Sequence, residues 1–288
     1  MFEGVYTAIV TPFTRDDSVD YEALGRLIKF QIEGGVDGIV PVGTTGESPT
    51  LTMAEHQHLI EFTIERVAGR GKVIAGTGAN STAEALELTR HAKEAGADGS
   101  LQVTPYYNKP SQAGLIRHFS EIADLGLPIV LYNVPGRTGR ELTVETVATL
   151  AKHPSIVSVK EAGGDVDRVS HYVGACDIEI LSGDDALTFP MMAVGAVGVI
   201  SVVANVAPKA VSEMVHAALE GRWDEGRTLH TRLHPLFRDL FIDTNPVPVK
   251  AALAMMGRIE EIYRLPLCAM TDAQKAQVRK TLTALALL

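Results

Sequence analysis

Eight short apolar runs, each followed by a polar or glycine-rich turn and then by a helix-length segment, constrain this chain more than any other feature. The runs are residues 5–10, 38–42, 72–76, 99–103, 128–132, 156–160, 178–181 and 197–202. They are rich in Val and Ile and apolar at successive rather than alternate positions, as in strands covered on both faces. The segments between them show helical spacing: across residues 21–32, Leu24, Leu27, Ile28 and Ile32 share one face. Strand–helix alternation predicts a parallel sheet. Eight units in about 220 residues suit an α/β fold closed as a (β/α)8 TIM barrel, with an open doubly wound sheet as the alternative. The units are unevenly spaced, so no solenoid is expected.

Helix starts are marked locally. Thr52 with Glu55 and Ser81 with Glu84 have capping-box spacing, and Asp20, Ser111 and Thr143 suit simple N-caps. Gly34-Gly35 and Gly96 stand where helices should stop. Beyond residues 208–219 the strand signals end, and residues 223–240, 247–256 and 272–285 read as three helices. The expected division is a barrel over residues 1–224 and a small C-terminal helical domain over residues 225–288.

Composition excludes several classes. The chain has 288 residues, 46% of them hydrophobic and 21% charged, enough apolar material for one large core. A net charge of −9 speaks against nucleic acid, whose phosphates call for a basic face. Cys176 and Cys268 are the only cysteines and form no CxxC, so two buried free thiols in a cytoplasmic protein are expected. Met1-Phe2-Glu3-Gly4 lacks the basic stretch of a signal peptide. Residues 186–208 are uncharged over a length sufficient to cross a bilayer. Pro190, Gly195, Gly198 and Asn205 interrupt them, so a short buried helix and a buried strand are expected and no membrane partner. His56 and His58 face different ways on a helix, and His230 and His234 share a face without an HExxH pattern; no metal site is expected.

A barrel takes its reactive groups from the C-terminal ends of its strands and the loops after them, which singles out four places. Lys160 closes Ile156-Val157-Ser158-Val159-Lys160. A dry barrel mouth disfavours an ammonium, and a neutral amine can form a Schiff base with a ketone or aldehyde. The alternative is a rim lysine paired with Glu161 or reaching into water. Tyr132 ends the preceding run; with strands ~4.8 Å apart its phenol can share a substrate with Lys160 and move protons, or it is an amphipathic core tyrosine. Gly43-Thr44-Thr45-Gly46-Glu47 offers backbone N–H groups and hydroxyls to a carboxylate, although glycine-rich loops are common. It has no P-loop pattern, and Gly76-Thr77-Gly78 lacks the third glycine of a dinucleotide fingerprint. Arg137 can hold a second carboxylate in a bidentate pair, or is a solvated loop arginine.

In their order and spacing, Gly43-Thr44-Thr45-Gly46-Glu47, Ala75-Gly76-Thr77-Gly78-Ala79-Asn80, Thr104-Pro105-Tyr106-Tyr107-Asn108, Leu131-Tyr132-Asn133-Val134-Pro135-Gly136-Arg137-Thr138-Gly139, Val159-Lys160-Glu161-Ala162, Leu181-Ser182-Gly183-Asp184-Asp185, Gly198-Val199-Ile200-Ser201 and Asn245-Pro246-Val247-Pro248-Val249-Lys250 resemble the dihydrodipicolinate synthase family. This family of lysine-dependent class I aldolases lies within the N-acetylneuraminate lyase superfamily, and the likeness runs from Ala8 to the C-terminus. The resemblance implies a Schiff base between Lys160 and pyruvate. It implies a proton relay of Tyr132, Thr44 and Tyr107, with Tyr107 reaching in from a neighbouring subunit. Thr45 would hold the pyruvate carboxylate, Arg137 the carboxylate of L-aspartate 4-semialdehyde, and Gly183 and Ile200 would line the site. The implied product is 4-hydroxy-tetrahydrodipicolinate, on the route to diaminopimelate and lysine. No metal or organic cofactor is implied, because the lysine imine is the electron sink. Ser48, His56, Asn80, Glu84 and Tyr106 match the cleft that binds lysine in feedback-sensitive members, whereas Met53 replaces a frequent histidine and Pro49 also differs. A homotetramer of two tight dimers is implied as well.

Two other readings compete. A sialic-acid or keto-deoxy-sugar aldolase would share the lysine, tyrosine and glycine-rich loop, but Arg137 with Tyr107 suits two small acidic substrates better than a polyol. A non-catalytic sensor barrel is compatible with the fold, yet has no need of a reactive amine.

Overall fold

The apolar runs become eight parallel strands: β1 (Gly4–Ala8), β2 (Gly38–Val40), β3 (Lys72–Gly76), β4 (Gly99–Val103), β5 (Ile129–Asn133), β6 (Ile156–Glu161), β7 (Glu179–Ser182) and β8 (Gly198–Ser201). They are seen in a computed structural model that describes all residues 1–288. β8 pairs with β1, so the sheet closes and the open-sheet alternative is excluded. The helices α1 (Tyr21–Glu33), α2 (Met53–Val67), α3 (Thr82–Ala95), α4 (Gln112–Ala123), α5 (Val144–Leu150), α6 (Asp167–Ala175), α7 (Thr188–Ala193) and α8 (Pro208–Leu219) each follow the strand of the same number. Then come α9 (Trp223–Asp239), α10 (Val247–Met255) and α11 (Asp272–Ala284). Position 224 falls in the first turn of α9. The apolar core runs on past it, for Leu233, Leu236, Phe237, Leu253 and Val278 pack in one cluster with Val199 and Val211.

Each strand buries both faces, and successive side chains point opposite ways. The inward set forms its own cluster, including Tyr6, Val40, Ile74, Leu101, Val130, Tyr132, Leu181 and Ile200. The outward set packs under the helices with Val5, Ile39, Leu131 and Val159. Phe2 is fully buried among the inward residues, and Gly99 leaves room for its ring, since a Cβ there would lie 2.6 Å from it.

Three strands, β1, β2 and β8, stop short of their apolar runs. After β1, the N–H of Val10 leaves the ladder and donates to Asn205 Oδ1 at 3.1 Å. After β2, Pro41 has no N–H for the ladder and Val42 turns to φ +51°. After β8, the N–H of Val202 leaves the ladder and donates to the Asp185 carboxylate at 3.0 Å. Residues 186–208 hold α7, β8 and a 3-10 turn at Val203–Asn205; no helix is long and apolar enough to cross a membrane.

Asp20, Ser111 and Thr143 accept N-cap hydrogen bonds, and Thr52 with Glu55 completes a capping box. Ser81 with Glu84 does not: the Ser81 side chain makes no cap bond, and both residues are exposed, where water can satisfy the first-turn N–H groups. On α1, Ile32 is only half-buried, and Gln31 is fully buried instead. Its amide accepts from Thr7 Oγ1 at 2.8 Å and donates to the Asn205 carbonyl at 3.1 Å. The expectation of two buried thiols fails. Cys176 is half-buried and Cys268 exposed, the latter because it lies in the irregular segment between α10 and α11, which runs over the surface.

Candidate active site

β5 and β6 set the centre of the site. Their register places Tyr132 opposite Lys160 and Asn133 opposite Glu161. Strand alternation sends the first pair into the barrel and the second out under the helices. Lys160 is 5% exposed, and its Nζ lies 4.2 Å from the centroid of the Tyr132 ring. The chain has two buried lysines. Lys250 is paired with Glu47, whereas Lys160 is in no ion pair.

Pairing of Lys160 with Glu161 is excluded by this alternation. The Glu161 carboxylate is fully buried on the other face, where it accepts from Asn133 Nδ2 (2.9 Å), Tyr172 Oη (2.8 Å) and the Gly163 N–H (2.6 Å). Burial raises its pKa, and these donors partly offset the rise. Asn133 in turn accepts from the Leu142 N–H at 3.0 Å. This outward network fixes the ends of β5 and β6, and with them the inward tyrosine and lysine.

Gly183 follows β7 and passes close to the lysine stem. A Cβ there would lie 2.7 Å from Ala162 Cβ and 2.9 Å from Lys160 Cε. Gly183→Ala therefore displaces the stem, and a misplacement of about 1 Å is worth about 10²-fold in rate. For the pyruvate imine that the resemblance implies at Lys160, capture is expected to slow by about that factor, as read by borohydride labelling of the folded variant, and the contact with Ala162 is expected to lower Tm as well. An unchanged rate would mean that the stem yields freely. Behind Gly183, Asp185 is buried and accepts from Ser201 Oγ and from the N–H groups of Val202 and Val203. Burial pushes its pKa up to about 6. It ties the end of β7 to the end of β8, where Ile200 points inward.

The mouth contains a cavity of about 210 Å³ whose walls include Thr44, Ser48, Tyr106, Tyr132 and Arg137. Thr45, next to Thr44 but not itself in the lining, is 3% exposed and accepts from Asn245 Nδ2 at 2.9 Å. Arg137 donates to the Asn245 carbonyl at 3.0 Å. Lys160, Gly183 and Ile200 do not line this cavity; the Tyr132 ring, which does, is the one that Lys160 Nζ approaches. Tyr107 is not part of this cavity; it is 91% exposed, at φ +73°.

The residues read as an effector cleft lie on the connections after β2, β3 and β4 (Ser48, Asn80, Tyr106) and near the starts of α2 (His56) and α3 (Glu84). His56 is buried, its Nε2–H donating to the Gly76 carbonyl at 2.8 Å, and burial lowers its pKa. Asn80 Nδ2 donates to the Tyr106 carbonyl at 3.3 Å. Burial, and then the Glu84 carboxylate, raise the Tyr106 phenol; Glu84 itself is exposed in the first turn of α3. Ser48 and Tyr106 thus belong to the wall shared with Thr44 and Tyr132.

The sequence reading assigned no role to Asn245, Lys250 or Asp185. For Lys250 a signal existed, since a single charge within an otherwise apolar helix implies a buried partner. Nothing local marks Asn245 or Asp185.

The model of the dihydrodipicolinate synthetase family matches residues 1–285. A 4-hydroxy-tetrahydrodipicolinate synthase of Pelobacter propionicus is 56% identical over 96% of each chain. The solved 4-hydroxy-tetrahydrodipicolinate synthase of Methylacidiphilum fumariolicum SolV superposes with a TM-score of 0.98 at 53% identity, covering 99% of this chain and 96% of that one. The enzyme of Cyanidioschyzon merolae, solved with lysine bound, gives a TM-score of 0.96 at 42% identity over 100% and 99% of the chains. The chain belongs to the dihydrodipicolinate synthetase family.

Proposed function

We propose that this protein condenses pyruvate with L-aspartate 4-semialdehyde to 4-hydroxy-tetrahydrodipicolinate, in the synthesis of diaminopimelate and lysine, through a lysine imine. One observation carries the reading: a buried amine without a carboxylate partner, Lys160, stands next to last in β6 against the face of Tyr132, next to last in β5. Nζ attacks the pyruvate keto carbon, and the carbinolamine loses water to give the imine. The imine draws electrons from the methyl group, which gives up a proton and becomes an enamine. The enamine carbon attacks the aldehyde carbon, and the aldehyde oxygen takes up a proton. The amino group of the second substrate then attacks the imine carbon, closing the ring and freeing Lys160. The lysine supplies the electron sink, so the scheme needs no metal or organic cofactor.

Tyr132 and Thr44, on one cavity wall, carry protons in this scheme, with Tyr107 as their third partner. Thr45 holds the pyruvate carboxylate, Arg137 that of the semialdehyde, and Gly183 and Ile200 shape the floor. The test is reduction with borohydride in the presence of pyruvate, followed by mass spectrometry. An adduct on Lys160 is expected, and an adduct elsewhere or none sinks the scheme. Condensation with aspartate semialdehyde, set against cleavage of sialic acid, separates it from the sugar-acid aldolases.

Because Tyr107 is exposed and lines no part of its own cavity, we assign it to a neighbouring copy, in a cytoplasmic homotetramer of two tight dimers. Mixing inactive Lys160→Ala chains with Tyr107→Phe chains is then expected to restore up to half of the sites within mixed dimers. No gain on subunit exchange would remove the shared site. Free lysine is expected to inhibit through Ser48, His56, Asn80, Glu84 and Tyr106, with Glu84 facing the ammonium. Met53 and Pro49 weaken this response, and activity that stays flat into the millimolar range would refute it.

A further inference from the structure

The loop that carries Thr44 and Thr45 is gripped from the far end of the chain. Glu47 and Lys250 are 203 residues apart, yet their side chains meet at 2.5 Å with neither exposed at all. The lysine Nζ also lies 4.3 Å from the centroid of the Phe13 ring. The second Glu47 oxygen accepts the Arg264 N–H at 3.3 Å. The Arg264 side chain donates to the Thr50 carbonyl at 2.9 Å and to the Glu55 carboxylate. Just before α10, Asn245 donates to Thr45 Oγ1. The C-terminal region thus holds the loop at Thr45, Glu47 and Thr50.

This grip coincides with backbone strain. Val42 and Glu47, at φ +51° and +57°, occupy the left-handed region without being glycine, a conformation that persists only when surrounding contacts impose it. The loop's own turn bonds, Gly46 N–H to the Gly43 carbonyl and Glu47 N–H to the Thr44 carbonyl, do not anchor it to anything outside. A fully buried ion pair is a poor source of net stability, because both charges give up their water. It does supply a contact of fixed length and direction.

We propose that Glu47 and Lys250 are positioning residues for the keto acid. Their buried pair, tying α10 to the loop after β2, sets where Thr44 and Thr45 stand. The proposal rests on the reading of those two threonines given above.

The test is the double variant Glu47→Gln with Lys250→Met, which removes the tether without stranding one charge in the core, accompanied by Glu47→Asp, which keeps the charge but shortens the reach. Half-saturating pyruvate for borohydride labelling, and KM for each substrate, are measured on folded protein beside wild type. In either folded variant the pyruvate value is expected to rise tenfold or more, while KM for the aldehyde stays within about twofold. A role confined to stability would lower Tm and the labelled fraction at saturation without moving half-saturation, and that result overturns the proposal. Wild-type protein that takes no label fails the reading of the site itself, a different outcome from a labelled wild type and an equally responsive variant.

Discussion

Lys160→Ala protein is expected to take no pyruvate label and to lose condensation activity by about four orders of magnitude or more, which corresponds to at least ~5.4 kcal/mol of barrier. The size follows from the chemistry. Without Nζ there is no imine, and no other group in the barrel mouth can acidify the pyruvate methyl by withdrawing its electrons. The other buried lysine is no substitute, since Lys250 is engaged with Glu47. The fold should survive, because Lys160 makes no ion pair and its neighbours are held by the Asn133–Glu161–Tyr172 network on the other face. Circular dichroism and a thermal melt check that point. Label appearing on the variant would place the nucleophile elsewhere.

Tyr132→Phe is the second large effect. General acid–base groups are worth about 10²–10⁴ in rate, so kcat is expected to fall by about two to three orders of magnitude. The ring stays, so the face that Lys160 Nζ approaches at 4.2 Å is preserved. Labelling by pyruvate should slow but still saturate, and the stability change should be about 1 kcal/mol or less, the scale of one hydrogen bond. A kcat within threefold of wild type would show that water or another hydroxyl carries the proton. The two variants differ in kind: one removes the covalent step, the other leaves it intact and starves it of proton transfer.

Much of this architecture was legible along the chain, and the reason is range. Apolar runs, helical spacing and caps depend on residues within a few positions of one another. Hence the three C-terminal helices and the caps at Asp20, Thr52, Ser111 and Thr143 could be placed from the sequence. A lysine at the end of the sixth run was visible for the same reason. The failures were local rules overruled by surroundings: Ser81 had the right spacing but an exposed side chain, and Cys268 had a buried residue's chemistry but a surface segment's place.

By itself the sequence determined the number and order of the strands, their coverage on both faces, and which reactive groups end them. It could not say which parity of residues faces the barrel axis, because strands buried on both sides show no alternation from which to read it. Closure of the sheet decided that, putting Tyr132 and Lys160 inside and Asn133 and Glu161 outside. Tertiary structure alone also joined Glu47 to Lys250 and Thr45 to Asn245. The energies of such contacts depend on distances between segments some two hundred residues apart, and those distances exist only once the barrel has closed and the last helices have packed against it.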